Sequence, residues 1–155
     1  GEGAMPTELF DEFGDYIRER GHEYGTVTKR PRRCGYLDLV ALKYSVRING
    51  ITNICLTLAD VLSDIKTLKV CTHYEIDGKL IDTIPASNKV FSRCTAIYTE
   101  LKPWHGDISN IKEYEFLPIE LKEYIAFIEK EVGVKVSMVS VGPDRNQTII
   151  REQLF

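Results

Sequence analysis

The sequence predicts an α/β fold, a mixed sheet with flanking helices and one antiparallel hairpin. Three observations carry this expectation. Three segments place apolar residues at helical spacing. Short apolar runs of strand character directly follow the second and third of them. Asp77-Gly78, a dipeptide suited to a two-residue turn, separates two further strand-like runs.

The first helix is expected over residues 7–20. Thr7 can cap it, Glu8 and Asp11 suit its positive end, Leu9, Phe10, Phe13, Tyr16 and Ile17 form an apolar face, and Gly21 follows as a stop. The second spans 37–48, with Leu37, Val40, Ala41, Tyr44 and Ile48 on one side and Asn49-Gly50 after it. The third begins near Pro118, repeats Leu121, Tyr124, Ile125, Ile128 and Val132 at helical intervals, and closes at Gly133. Strands are expected at 53–57, 68–76, 79–84 and 134–141. Residues 85–115, with Pro85, Pro103, Trp104 and Gly106, read as irregular.

A chain of 155 residues with 43% hydrophobic composition can bury one real core. Its formal net charge of −3 argues against general nucleic-acid binding, because that affinity comes from phosphate neutralisation by Lys and Arg. No apolar run approaches the length of a membrane span. Cys34, Cys55, Cys71 and Cys94 form no Cys-x-x-Cys pair; Cys55 and Cys71 sit in apolar surroundings and are expected to be buried free thiols, which favours a reducing, cytoplasmic compartment. His22, His73 and His105 form no metal-ligand cluster, so no metal site is expected from this chain alone.

Against this acidic background, residues 29–33 contain Lys29, Arg30, Arg32 and Arg33, after Gly25, Thr26 and Thr28 and before an amphipathic run. Guanidinium groups offer a planar fork of donors that fits carboxylate or phosphate oxygens. The stretch reads either as an anion-holding loop or as a solvated basic turn, and a polyanion- or RNA-binding module is the competing reading of the whole chain. Open α/β sheets bind ligands beyond the carboxyl ends of their strands. Two such exits carry candidate groups. At the first, Asp60 could accept hydrogen bonds from N1–H and the N2 amino group of guanine, or simply cap a turn over 61–65. At the second, Ser140-Val141-Gly142-Pro143 offers a hydroxyl and a backbone open to a planar base, or is an ordinary Gly-Pro turn.

Several blocks, in order across nearly the whole chain, resemble the adenylosuccinate synthetase family. They are Pro6-Thr7-Glu8-Leu9-Phe10-Asp11-Glu12, Tyr24-Gly25 through Arg32-Arg33-Cys34-Gly35-Tyr36-Leu37-Asp38, Leu56-Thr57 with Asp60-Val61-Leu62, Lys69-Val70-Cys71 leading to Tyr74, and Ser140 through Arg145. The resemblance implies a GTP- and Mg²⁺-dependent, homodimeric ligase joining IMP and L-aspartate, with no nucleic-acid or membrane partner. Its fold would be the C-terminal part of a P-loop-NTPase-like sheet. By the same resemblance, Thr26, Val27, Thr28, Lys29, Arg30, Pro31 and Arg32 match the aspartate loop, within a substrate loop of residues 24–36. Arg30 would also touch IMP and Arg32 GTP. Leu58, Ala59 and Asp60, with Ser140, Val141 and Gly142, match the guanine-binding segments at 57–60 and 140–145.

Three positions depart from the family pattern. Leu58 stands where Lys is usual, Val27 where Thr is common and Lys29 where Gly is common. The Gly-rich phosphate loop and the catalytic Asp and His of the family have no counterpart in the sequence. Residues 1–155 are therefore expected to be a C-terminal segment without catalytic or metal-binding residues of its own, inactive when isolated.

Overall fold

The computed structural model describes residues 2–151. In chain order its elements are α1 (Glu12–Arg20), β1 (Leu37–Asp38), α2 (Leu39–Asn49), β2 (Asn53–Leu56), β3 (Leu68–Ile76), β4 (Lys79–Ile81), α3 (Asn88–Phe91), β5 (Thr95–Leu101), α4 (Ile119–Val132), β6 (Lys135–Ser140) and β7 (Thr148–Ile150). Short 3₁₀ turns cover Ala59–Leu62, Tyr114–Phe116 and Arg145–Gln147. The α/β class holds, with mixed strand directions and flanking helices. The strands divide between two sheets, in two compact units.

The first unit comprises residues up to 44 and 69–100. Its sheet has β3 at the centre, with β1 parallel on one side, β4 antiparallel on the other, and β5 also paired to β3. The Asp77-Gly78 hairpin forms as expected, with φ of 50° and 74° at its two turn residues. β4 is shorter than predicted, ending at Ile81.

Helix α1 starts five residues later than its apolar pattern suggests. Asp11, not Thr7, caps it, accepting the Gly14 N–H at 3.0 Å. Residues 7–9 are taken up elsewhere. Glu8 bridges Gly35 in antiparallel fashion, Leu9 N–H donates to the Cys34 carbonyl at 2.9 Å, and Thr7 is buried. A backbone committed to that pairing cannot also be helical, and Phe10, assigned to the helix face, stands 89% exposed. Gly35 is required for the approach, since a Cβ there would lie 2.1 Å from the Thr7 carbonyl oxygen.

The pairing propagates into the sheet. Arg33 Nε donates to the Glu8 carboxylate at 2.8 Å, and Tyr36 packs against Phe13 and Tyr98 with ring centroids 5.4 and 5.3 Å apart. Leu37 and Asp38 then run beside Val70 and Cys71 as β1, so α2 begins at Leu39 rather than Leu37. Asp38 serves both neighbours, accepting Ala41 N–H at 3.0 Å and the Tyr74 hydroxyl at 2.5 Å. Burial pushes the Tyr74 hydroxyl pKa up, and the Asp38 bond adds to the effect. On α2, Leu39 and Val40 are the buried pair, while Ile48, assigned to the apolar side, is exposed.

The second unit comprises 45–68 and the chain from 101 onward. Here β2 lies parallel to β6, and β7 closes on β6 antiparallel. Helix α4 matches its predicted bounds, between Pro118 and Gly133, and buries Leu121, Tyr124, Ile125 and Ile128. Trp104, fully buried, packs on Tyr124 with ring centroids 5.4 Å apart. Glu129 accepts Val136 N–H at 2.8 Å and pairs with Arg151, fastening α4 to the start of β6 and the end of β7.

Besides β1, the strands β5 and β7 escape the sequence reading. β5 lies inside the stretch read as irregular, although Thr95 to Tyr98 carry β-branched and aromatic residues. β7 is only three residues long. Cys55 is also corrected: it is exposed, whereas Cys34, Cys71 and Cys94 are buried. Burial pushes the Cys71 thiol up to about 12, which leaves it unreactive.

Two outcomes follow for the first unit. Gly35→Ala is expected to cost on the order of 2–3 kcal/mol in chemical denaturation, because the new methyl overlaps the Thr7 carbonyl. The Arg33 hydrogen bond holds the Glu8 carboxyl below its usual value of 4.5. Its contribution is therefore complete above that pH and is lost as pH falls through the lowered folded value. Melting curves of wild type and Glu8→Gln should differ at neutral pH and converge in acid; a constant gap would refute the ion-pair account.

Candidate functional site

Both units carry a concavity lined by residues singled out in the sequence. In the first unit the loop at 24–36 is a hairpin-like excursion. Tyr24 bridges Pro31, Gly25 N–H donates to the Arg30 carbonyl at 2.8 Å, and Lys29 N–H donates to the Gly25 carbonyl at 2.9 Å. Thr26, Val27, Thr28, Lys29, Arg30, Pro31 and Arg32 are all exposed. Lys29 adopts φ of 55°, the left-handed region in which a side chain costs about 1–2 kcal/mol.

The arginines have separate surroundings. Arg33 is bound to Glu8 and to the Gly3 carbonyl, so it holds the fold. Arg32 donates to Glu23 Oε2 at 2.9 Å, while its carbonyl accepts from Arg18 Nε at the same distance. The Arg30 side chain has no hydrogen bond or ion pair among the described residues. An open cavity of about 710 Å³ is lined by Gly25, Thr28, Arg30, Pro31, Arg32 and Arg33, with residues 3–5 on its other side. Three guanidinium groups on one concavity can hold a dicarboxylate or a phosphate. With Arg32 and Arg33 engaged by glutamates, the loop is not a freely solvated basic tract.

In the second unit the parallel register of β2 and β6 sets Leu56 beside Val139, so both strands end on one side. The exits are joined directly. Leu58 N–H donates to Ser140 Oγ at 2.7 Å, across 82 positions of sequence. Leu58 itself is left-handed, with φ of 54°. Such backbone strain persists only where surrounding contacts fix it. Beyond it, Ala59 is buried and Asp60 lies in the 3₁₀ turn Ala59–Leu62. Asp60 Oδ1 is closed from solvent and has no hydrogen-bond partner. A buried carboxylate oxygen without a donor is costly, because its desolvation is uncompensated within the described residues.

A cavity of about 380 Å³ lies at these exits, lined by Cys55, Thr57, Leu58, Ser140, Gly142 and Arg145, with Pro143, Asp144 and Thr148. Asp60, Ala59 and Val141 stand behind this lining rather than in it. Gly142 is buried against the Gln147 amide, since a Cβ on it would lie 2.2 Å from Gln147 Oε1. Gln147 was missed from the sequence, although Asp144-Arg145-Asn146-Gln147 has the spacing of a capping box.

A family model described as adenylosuccinate synthetase matches residues 1–149. The chain belongs to the adenylosuccinate synthetase family. It is 54% identical over its full 155 residues to the adenylosuccinate synthetase of Alkaliphilus metalliredigens, and 47% identical over 150 residues to that of Caldanaerobacter subterraneus. It spans 36% and 35% of those two relatives' lengths. A solved structure of fully ligated adenylosuccinate synthetase from Plasmodium falciparum superposes with a TM-score of 0.93 at 38% identity, covering 98% of this chain and 37% of that one. The polyanion-binding alternative finds no support in these relationships. The family block Arg32–Asp38 has a structural account here, being the segment that pairs with residues 8–9 and enters the sheet.

Ser140→Ala removes the acceptor for a part-buried amide. It is expected to cost about 1–2 kcal/mol and to speed hydrogen exchange at Leu58 more than at α4 amides. Unchanged exchange at Leu58 would rule out the hydroxyl as the clamp between the two exits.

Proposed function

We propose that the chain supplies the aspartate loop and the guanine-binding segments of a GTP-dependent ligase that joins IMP to L-aspartate, giving adenylosuccinate, GDP and phosphate. The observation that carries the reading is the buried, partnerless Oδ1 of Asp60 at the joined strand exits. Guanine presents N1–H and an N2 amino group on one edge, two donors that a carboxylate can accept together. Adenine has an acceptor at N1 and no N2 amino group, so it would leave the oxygen unsatisfied. Discrimination of this kind is strong because the wrong partner leaves buried polar atoms unpaired.

The remaining residues fit around that contact. Leu58 covers the base with an aliphatic chain in place of the family's usual lysine, and Ser140, Val141 and Gly142 bring backbone to its other side. Thr26, Val27, Thr28, Lys29, Arg30, Pro31 and Arg32 form the aspartate loop, where the unpaired Arg30 side chain takes a substrate carboxylate and contacts IMP. Arg32 has a role in GTP binding by the family resemblance. The GTP phosphates would be accompanied by Mg²⁺. Among the described residues no group of three His, Cys, Asp or Glu could hold a metal, so these side chains do not fit the ion and no step is routed through it. Chemistry would then depend on groups outside the 155 residues, and the segment alone would be inactive. A homodimeric, cytoplasmic enzyme without nucleic-acid or membrane partners completes the reading.

In a full-length synthetase carrying this segment, Asp60→Ala is expected to raise the KM for GTP at least ~10-fold, the value of one charged hydrogen bond. The KM for IMP should change little, and the preference for GTP over ATP should narrow. Equal competition by ATP and GTP in the unmodified enzyme would overturn the base-reading role. Separately, Arg30→Leu should raise the KM for aspartate ~10- to 100-fold by removing a charge-assisted contact.

A further inference from the structure

We infer that Gln147 is a positioning residue of the nucleotide pocket, and that it, rather than the nucleotide, is what requires glycine at 142. The inference rests on reading 140–145 as a guanine-binding segment. It starts from the concentration of bonds on one side chain and its backbone. Gln147 Oε1 accepts Asp144 N–H at 3.0 Å, and Nε2 donates to the Ser109 carbonyl at 3.2 Å. Its backbone N–H donates to the Asp144 carbonyl and its carbonyl accepts Val141 N–H, both at 2.9 Å.

One residue thus closes the turn 141–147 from within and ties it to the loop at 109. Lys112 adds a second tether, donating from Nζ to the Asn146 carbonyl at 3.1 Å. The residues held this way include Gly142, Pro143, Asp144 and Arg145, which form one wall of the 380 Å³ cavity. A Cβ at 142 would meet the Gln147 amide within 2.2–2.6 Å; the amide ends a flexible side chain, so the cost of moving it aside is the loss or weakening of its bonds to Asp144 and Ser109. The glycine and the glutamine therefore form one device. Gln147 acts through the wall it holds and touches no reacting atom.

The coupling gives a direct test in a full-length synthetase carrying this segment. Gln147→Ala is expected to raise the KM for GTP ~5- to 10-fold, with kcat and the KM for IMP within about twofold, since about one net hydrogen bond of wall stability is lost. Gln147→Glu keeps the acceptor for Asp144 and loses the donor to Ser109, so it should recover part of the loss. Gly142→Ala should raise the GTP KM by a similar factor alone and add almost nothing in the Gln147→Ala background, the signature of residues acting as a unit. If Gly142→Ala costs the same factor in both backgrounds, the nucleotide itself needs the glycine and the inference fails. It fails equally if Gln147→Ala lowers only the melting temperature, or raises every KM alike. Asp60→Ala, run in parallel, separates the two readings. An unchanged GTP KM there with coupled 142 and 147 overturns the role of Asp60 alone, whereas a raised KM with additive 142 and 147 overturns the Gln147 assignment alone.

Discussion

The contact on which the first unit depends is the close approach of Gly35 to the carbonyl of Thr7. It is a backbone-to-backbone contact that no side chain can share. Because these segments meet, Glu8 and Leu9 pair with Gly35 and Cys34 instead of joining a helix, and α1 must wait for Asp11. Arg33 then finds Glu8, Tyr36 reaches the Phe13 and Tyr98 rings, and Leu37 and Asp38 arrive in register with β3. The exposed loop at 24–31 is anchored on its C-terminal side by the same pairing. Its presentation is a consequence of packing some distance from it.

The second unit solves a different problem, how to leave a cavity open at two strand exits without dissolving the ends of the strands. Ser140 Oγ takes up the Leu58 amide, Gln147 takes up Asp144 and Ser109, and between them the polar backbone at two strand exits is satisfied internally. Asp60 Oδ1 is excepted. Among the described residues Trp104 Nε1 likewise lacks a hydrogen-bond partner, so what distinguishes Asp60 Oδ1 is its place at the strand exits; desolvation without compensation is tolerated only where something offsets it. The left-handed Leu58 is of the same kind, a local cost fixed by the contact with Ser140.

Much of the fold was legible. Helix α4, strand β3 and the Asp77-Gly78 hairpin were read correctly, because in each the local pattern and the tertiary environment agree. The failures have a common cause. Thr7 and Leu9 carry a good helix-start pattern, and a long-range backbone pairing overrides it. Thr95 to Leu101 has strand chemistry, but its neighbours Pro85, Pro103 and Gly106 suggested loop, and only the β3 edge shows that a partner exists. Cys55 sits in an apolar run, yet β2 is a strand of the small sheet, with Asn53 and Cys55 on its exposed side.

For the candidate site the division is sharper. Residue types alone determined the family, the cationic loop, and the placement of Asp60 and Ser140 at strand exits, because chemistry of that kind is written in side-chain identity and short spacing. Tertiary structure decided which of the cations is spoken for and which polar atoms stay unsatisfied. Arg33 and Arg32 look alike in sequence to Arg30, and only the positions of Glu8 and Glu23 separate them. Gly142 looks like a site for a ligand until Gln147 is found lying against it. Partnership is a property of distance in space, and residues separated by 82 positions, as Leu58 and Ser140 are, leave no local mark of it in the chain.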